Sequence, residues 1–64
     1  MNNVIISNYS DFITPVSVQD AIKTRFAFAT EKNVEVRFDK NQNSFDVYQK
    51  NKFICSFDFD GNEI

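Results

Sequence analysis

Residues 34–59, VEVRFDKNQNSFDVYQKNKFICSFDF, carry the pattern that decides the fold. Apolar and polar residues alternate within three segments, which are separated by polar clusters at 40–43 and 50–52. Alternation with a period of two is typical of a strand that buries one face. Short polar clusters rich in Asn are typical of turns. The stretch therefore predicts a three-stranded antiparallel meander.

The positions of the apolar residues predict how the first two of these strands pair. They are even-numbered in the first strand and odd-numbered in the other two. A four-residue loop at 40–43 places Phe38 opposite Phe45 and keeps both apolar rows on one face. The same register places Arg37 opposite Asp46 on the other face, where their charges are complementary.

In the second hairpin the apolar residues of both strands are odd-numbered, so odd-numbered residues of one strand must pair with odd-numbered residues of the other. A three-residue loop at 50–52 achieves this and places Val47 opposite Cys55. Either Asn51 or Lys52 would then adopt a left-handed conformation. This register directs an alternating row inward: Phe53, Cys55, Phe57 and Phe59.

A helix is predicted before the meander. Ser17 has the properties of an N-cap, with the acidic Asp20 three positions later and Pro15 outside the helix. Asn33 is a suitable end, and the next strand begins at once. Arg25 lies within the apolar arc, so either its stem packs while its head reaches an acid or solvent, or it forms an anion or partner site. The apolar arc consists of Val18, Ala21, Ile22, Phe26, Phe28 and Ala29.

The first segment, Asn3 to Tyr9, is predicted to form a strand through its Val-Ile-Ile run. Phe12 and Ile13 could form a further short strand. The expected order is β-α-β-β-β, with ββαβββ as the alternative. The fold class is α+β, with one helix packed on a mostly antiparallel four-stranded sheet, and residues 1–64 form a single small domain.

The core must supply the stability of so short a chain. One Cys precludes an internal disulfide, whereas eight phenylalanines in 64 residues supply a large apolar area. Cys55 is expected to be buried and unreactive. The phenylalanines expected in the core are Phe26, Phe38, Phe45 and Phe57.

The composition argues against several classes of function. The chain has no His, one Cys and one Gly, which leaves no zinc ligand set, no nucleophile–base pair and no glycine-rich phosphate loop. The segment 58–63 resembles a calcium loop, but its Gly comes at the fourth position instead of the sixth. We therefore expect no enzyme activity, no metal and no cofactor.

The setting and partners are inferred from charge and hydropathy. Residues 1–7 lack the basic segment and long apolar run of a secretory signal, and no stretch is long enough to span a membrane. A single Cys favours the cytoplasm. Seven basic and nine acidic residues give a net charge of −2, which makes nucleic acid an unfavourable partner.

The sequence favours a small non-catalytic protein-binding or regulatory protein, such as an inhibitor encoded by a phage or mobile element. Its partner is expected to be a protein, and a homodimer is expected as well. The alternative is a single-stranded nucleic-acid-binding module that uses Arg37, Tyr48 and Lys50 on the exposed sheet face. The candidate partner-binding residues are Arg37, Tyr48, Ile54, Asp58 and Asp60.

Overall fold

The computed structural model describes residues 3–64, which form one helix and one sheet. The elements in chain order are β1 (Ile5–Asn8), α1 (Val16–Arg25), β2 (Asn33–Asp39), β3 (Ser44–Gln49) and β4 (Lys52–Phe57). The strands lie side by side in the order β1-β2-β3-β4. β1 runs parallel to β2, and the other two pairs are antiparallel. The predicted α+β class and the order β-α-β-β-β are confirmed.

The segment between β1 and α1 forms no strand, so the ββαβββ alternative is wrong. Phe12 packs instead against the rings of Phe38 and Phe45, with ring centres 6.1 and 6.0 Å away. Ile13 is exposed. Because β1 and β2 are parallel, the chain needs a crossover between them, and this segment leads from the end of β1 to the start of the crossover helix.

Helix α1 begins one residue earlier than the predicted cap. Pro15 occupies the N-cap position, and its carbonyl accepts a 2.9 Å hydrogen bond from the backbone N–H of Gln19. The predicted N-cap, Ser17, is wrong: it lies in the first turn, and its hydroxyl donates to the Phe59 carbonyl at 2.6 Å. The hydroxyl joins the helix to the C-terminal segment, a long-range contact that the local sequence does not indicate.

The helix also ends earlier than its apolar arc predicts. Phe26 is the C-cap residue and is buried, but Phe28 is 97% exposed, so its predicted place in the apolar arc is wrong. The ammonium of Lys32 donates to the carbonyls of Ala27 and Ala29 at 2.8 and 3.0 Å. These bonds satisfy carbonyls after the last helical turn, where no further helix supplies donors.

The core lies between α1 and the inner face of the sheet. Three of the four predicted phenylalanines, Phe26, Phe45 and Phe57, are buried, and Phe38 is partly buried against them. The buried apolar residues are Val4, Val18, Ile22, Phe26, Val34, Val36, Phe45, Val47, Cys55 and Phe57.

The first hairpin has the predicted register. Phe38 pairs with Phe45, and Arg37 pairs with Asp46 across the same two strands. The connection is the predicted polar cluster 40–43, with Asn43 in a left-handed conformation at φ 53°. The alternation of apolar and polar residues is sufficient here because the loop length agrees with it.

The second hairpin reaches the predicted core register by a different route. Val47 does pair with Cys55, but the turn has two residues, Lys50 and Asn51, rather than three. Both have positive φ, 51° and 65°, as a tight hairpin turn of the I′ type requires. The predicted three-residue loop is therefore wrong, and so is the left-handed alternative at Lys52.

A bulge in β4 reconciles the tight turn with the core register. Tyr48 pairs with Phe53 while the preceding Val47 pairs with Cys55, which leaves Ile54 as an extra residue in β4. Ile54 packs against the core, and Phe53 is exposed beside Tyr48. The predicted faces of Phe53 and Ile54 are thus exchanged.

The C-terminal segment folds back beside β4. Phe57 forms an isolated antiparallel bridge with Glu63, and the Ile64 N–H donates to the Ser56 carbonyl at 2.9 Å. The guanidinium of Arg25 reaches this segment, and its Nε lies 3.3 Å from Glu63 Oε1. Of the two alternatives predicted for Arg25, this ion pair agrees with the one in which the stem packs on the helix and the guanidinium reaches an acid. The segment ties α1 to the edge of the sheet.

Candidate functional site

The outer face of the sheet is the surface on which functional groups gather. Helix α1 packs on the inner face, and no other helix or strand among residues 3–64 forms a layer over the outer one. We call its aromatic centre the open face, which consists of Tyr9, Arg37, Tyr48 and Phe53. Tyr9 follows β1, Arg37 lies in β2, and Tyr48 and Phe53 are cross-strand partners in β3 and β4.

Arg37 is held between two tyrosine rings. Its guanidinium carbon lies 3.9 Å from the ring centre of Tyr48 and 4.6 Å from that of Tyr9. Both distances are well inside the range of a cation–π interaction. The two rings therefore restrain the position of the guanidinium on the surface of the sheet.

Hydrogen bonds orient the same guanidinium further. Its Nε donates to Glu35 Oε2 at 2.7 Å, and a terminal nitrogen donates to Asn51 Oδ1 at 3.2 Å. The bond to Glu35 is the main reason why the pKa of Arg37 is raised above its ordinary value. These two bonds leave other guanidinium N–H groups available to an incoming acceptor.

The aromatic rings beside Arg37 are exposed. Tyr9 is 66% and Phe53 is 54% exposed, and the Phe53 ring meets Tyr48 edge-on with the ring centres 5.7 Å apart. Exposed rings that are supported by their neighbours lose little conformational freedom when a partner covers them. The open face is therefore an ordered, partly apolar surface with one cation at its centre.

Acidic groups flank this surface. Asp46 lies opposite Arg37 in the register, and its Oδ1 accepts hydrogen bonds from the hydroxyls of Ser44 and Ser56 at 2.9 and 2.7 Å. Glu35 is paired with Arg37. Two carboxylates so close to the cation reduce its attraction for a polyanion.

The structure brings only two of the five sequence-predicted site residues together. Arg37 and Tyr48 are in contact at the open face, whereas Ile54 packs toward the core. Asp58 and Asp60 lie in the turn after β4, at the opposite end of that strand from Phe53.

Asp58 has a structural role in that turn. Its Oδ1 accepts backbone N–H bonds from Asp60 and Asn62, each at 2.9 Å. The backbone N–H of Asn62 is the main cause that lowers the pKa of this carboxyl. The carboxylate is thus engaged within the chain, while the Asp60 side chain remains exposed.

The sequence pattern does not predict two members of the open face. Strict alternation places Phe53 in the core, and the bulge at Ile54 reverses its face. Tyr9 lies at the end of a predicted strand, and the pattern does not indicate which strand pairs with it. A parallel β1–β2 pairing brings Tyr9 beside β2, where its backbone N–H donates to the Val36 carbonyl at 2.9 Å.

Two other kinds of group among residues 3–64 bear on chemistry, the metal-ligating side chains and the thiol. They contain no group of three or more His, Cys, Asp or Glu side chains placed to hold a metal ion. Burial, with a smaller contribution from the Glu63 carboxylate, raises the pKa of the Cys55 thiol to about 11. A thiol with so high a pKa is almost wholly protonated near neutral pH and is a poor nucleophile.

No helix in this part of the chain has the length and apolar character for a membrane crossing.

Thiol reagents are expected to label Cys55 only as fast as the protein unfolds, because the side chain is 4% exposed and protonated. In the unfolded chain the thiol ionises near its ordinary pKa of 9, but in the folded protein only near 11. The thiol therefore favours the folded state below pH 9, and this contribution is lost as the pH rises toward 11. Comparison with Cys55→Ala isolates this loss from other titrations. Rapid labelling of the folded protein at neutral pH would contradict the burial.

The fold and the open face together define a small α+β protein with an ordered aromatic sheet surface. The chain matches no protein-family model, no curated protein and no solved structure. Its function is therefore inferred from the open face itself.

Proposed function

We propose that this chain is a small non-catalytic protein-binding module that regulates its partner through the open face. The observation that carries the proposal is the guanidinium of Arg37, ordered between Tyr9 and Tyr48 on an uncovered sheet. Arg and Tyr are enriched among the residues that contribute most to protein–protein binding. An ordered Arg flanked by rings combines apolar contact area with directional donors.

The partner that fits this face presents an apolar patch around hydrogen-bond acceptors. Phe53 and Tyr9 supply apolar area at the two sides, and the remaining N–H groups of Arg37 require acceptors. Backbone carbonyls or a single carboxylate meet this requirement. A dense row of phosphates fits less well because Glu35 and Asp46 lie beside the cation.

A second candidate function is binding of single-stranded nucleic acid. The observation in its favour is the pair of exposed rings, Tyr9 and Phe53, on either side of a cation, since bases stack on such rings. The net charge of −2 counts against it. Its affinity would fall steeply with salt, whereas binding of a protein through largely apolar contacts would not.

The wider biological setting is also a proposal. The small size and acidic balance are compatible with an inhibitor from a phage or mobile element, as the sequence predicts. The free, buried Cys55 favours a reducing compartment such as the cytoplasm.

Site-specific photo-crosslinking tests the proposed surface. A photoreactive phenylalanine analogue placed at Phe53 is expected to capture a defined protein from an extract of the native cells. The same analogue at Phe28, which is 97% exposed and lies outside the sheet, is the matched control. Replacement of Arg37 by Ala is expected to reduce the Phe53 adduct about tenfold or more, the effect of removing a central binding residue.

The crosslinking results, together with an oligonucleotide-binding assay, separate the two candidate functions. An adduct at position 53 that depends on Arg37 supports the protein-binding function. Equal capture from positions 28 and 53, or capture that is insensitive to Arg37, contradicts it. Salt-sensitive binding of a labelled single-stranded oligonucleotide, lost on Arg37→Ala, would establish the nucleic-acid alternative instead.

A further inference from the structure

The two edges of the sheet are protected differently. At the β4 edge, Phe57 pairs with Glu63, and the Ile64 N–H bonds to the Ser56 carbonyl at 2.9 Å. The C-terminal segment thus occupies part of that edge. At the β1 edge, the described residues 3–64 supply no equivalent backbone partner.

Some backbone N–H and C=O groups of β1 point away from β2 and have no neighbouring strand beside them among the described residues. Ile5 donates its N–H to the Lys32 carbonyl, and Tyr9 donates to the Val36 carbonyl, both at 2.9 Å. Alternate residues of a strand direct their backbone groups to opposite sides, so Ile6 and Asn8 direct theirs away from β2. A continuous row of donors and acceptors therefore lies along this edge.

β1 is short, but no charge, proline or bulge within it opposes pairing with another strand. The strand Ile5–Asn8 reads IISN and contains no charge and no Pro, and no bulge interrupts its pairing with β2. Ile5 is 56% exposed on the outer side. Natural proteins commonly block such edges with charges, prolines, bulges or covering segments.

We infer that the β1 edge pairs antiparallel with the β1 edge of a second copy of this chain. A two-fold axis through Ile6 lets the two Ile6 residues exchange N–H···O bonds and places Ile5 of each copy opposite Ser7 of the other. Two chains of net charge −2 repel one another overall, but the paired strands bring no charged side chain into opposition. A second copy offers a strand that matches this uncharged edge residue for residue.

The two-fold axis stands perpendicular to the sheet, so the two sheets join into one continuous, twisted sheet with both open faces on the same side. Tyr9 follows β1 directly, so the open faces of the two copies extend outward from the junction. A four-residue strand is a small contact compared with the roughly 1,000 Å² that a stable interface buries, so the dimer is expected to dissociate on dilution. The inference does not depend on the function proposed for the open face.

Sedimentation and amide hydrogen exchange test the inference on the intact chain. The mean mass is expected to rise from monomer toward dimer between about 10 μM and 1 mM, as mass action requires. Over the same range, exchange of the Ile6 and Asn8 amides is expected to slow. The Ile5 and Tyr9 amides, which already bond to Lys32 and Val36, are expected to change little.

Ile5→Lys is the disruptive variant and Ile13→Lys is its matched control. Both residues are exposed, and only Ile5 lies in the edge strand. Lys at position 5 is expected to weaken the dimer about tenfold or more, because edge lysines oppose strand pairing. Ile13→Lys should leave the dimerisation constant unchanged.

Either of two results would overturn the inference. One is a monomer mass throughout the concentration range with concentration-independent exchange at Ile6. The other is a dimer that survives Ile5→Lys while the Ile6 amide still exchanges rapidly, which would place the interface elsewhere.

Discussion

Replacement of Phe45 by alanine is expected to remove a large share of the free energy of unfolding. Phe45 is buried, and its ring centre lies 4.9 Å from that of Phe38 and 5.0 Å from that of Phe59. Truncation of a buried Phe costs about 3–5 kcal/mol through lost burial and the cavity left behind. A domain of this size has a total stability of similar magnitude, roughly 0.05–0.15 kcal/mol per residue.

Urea titration followed by circular dichroism measures this loss. Phe28→Ala is the matched control because the same side chain is removed from a 97% exposed site. It is expected to change the free energy of unfolding by no more than about 0.5 kcal/mol. If Phe45→Ala and Phe28→Ala unfolded at the same urea concentration, the position assigned to Phe45 in the core would be wrong.

Replacement of Gly61 by alanine is expected to detach the C-terminal segment from helix α1. Gly61 has φ +83°, a conformation that costs a side chain about 1–3 kcal/mol. A Cβ at this position would lie 2.6 Å from the Ser17 backbone carbonyl oxygen, which cannot move without the helix. The segment must therefore shift, and the bond from Ser17 Oγ to the Phe59 carbonyl is expected to weaken with it.

The expected total loss for Gly61→Ala is about 2–3 kcal/mol, measured by the same urea titration. Asp60→Ala is the control because it changes an exposed side chain in the same turn and leaves the backbone conformation permitted. Faster exchange of the Ile64 amide in Gly61→Ala would show that the cover of the β4 edge has opened. Unchanged stability together with unchanged Ile64 exchange would contradict the close approach of Gly61 to the helix.

The two hairpins differ in how well the sequence predicts their strand register. In the first hairpin, apolar alternation and loop length lead to one register, and Phe38 pairs with Phe45. In the second, the tight turn at Lys50 and Asn51 and the core pairing of Val47 with Cys55 require registers that differ by one residue. The extra residue of the bulge satisfies both, and alternation alone contains no signal for it.

The open face was only partly predictable for the same reason. Arg37 and Tyr48 alternate outward within regular strand segments, so their shared face could be predicted. Phe53 reached that face through the bulge, and Tyr9 reached it through the parallel pairing of β1 with β2. Neither effect is local, since each depends on which strands become neighbours.

The sequence by itself determined the α+β class, the three-stranded meander and the apolar rows that build the core. Periodicity is sufficient for these because burial of one face of a strand or helix dominates the free energy of folding. Only the tertiary structure decided the end of α1, the cover of the β4 edge and the exchange of Phe53 with Ile54. Such features are set by small energy differences between individual contacts, here the Lys32 bonds after α1 and the bridge from Phe57 to Glu63. These contacts lie outside any repeating pattern of apolar and polar residues, so the periodicity of the sequence does not predict them.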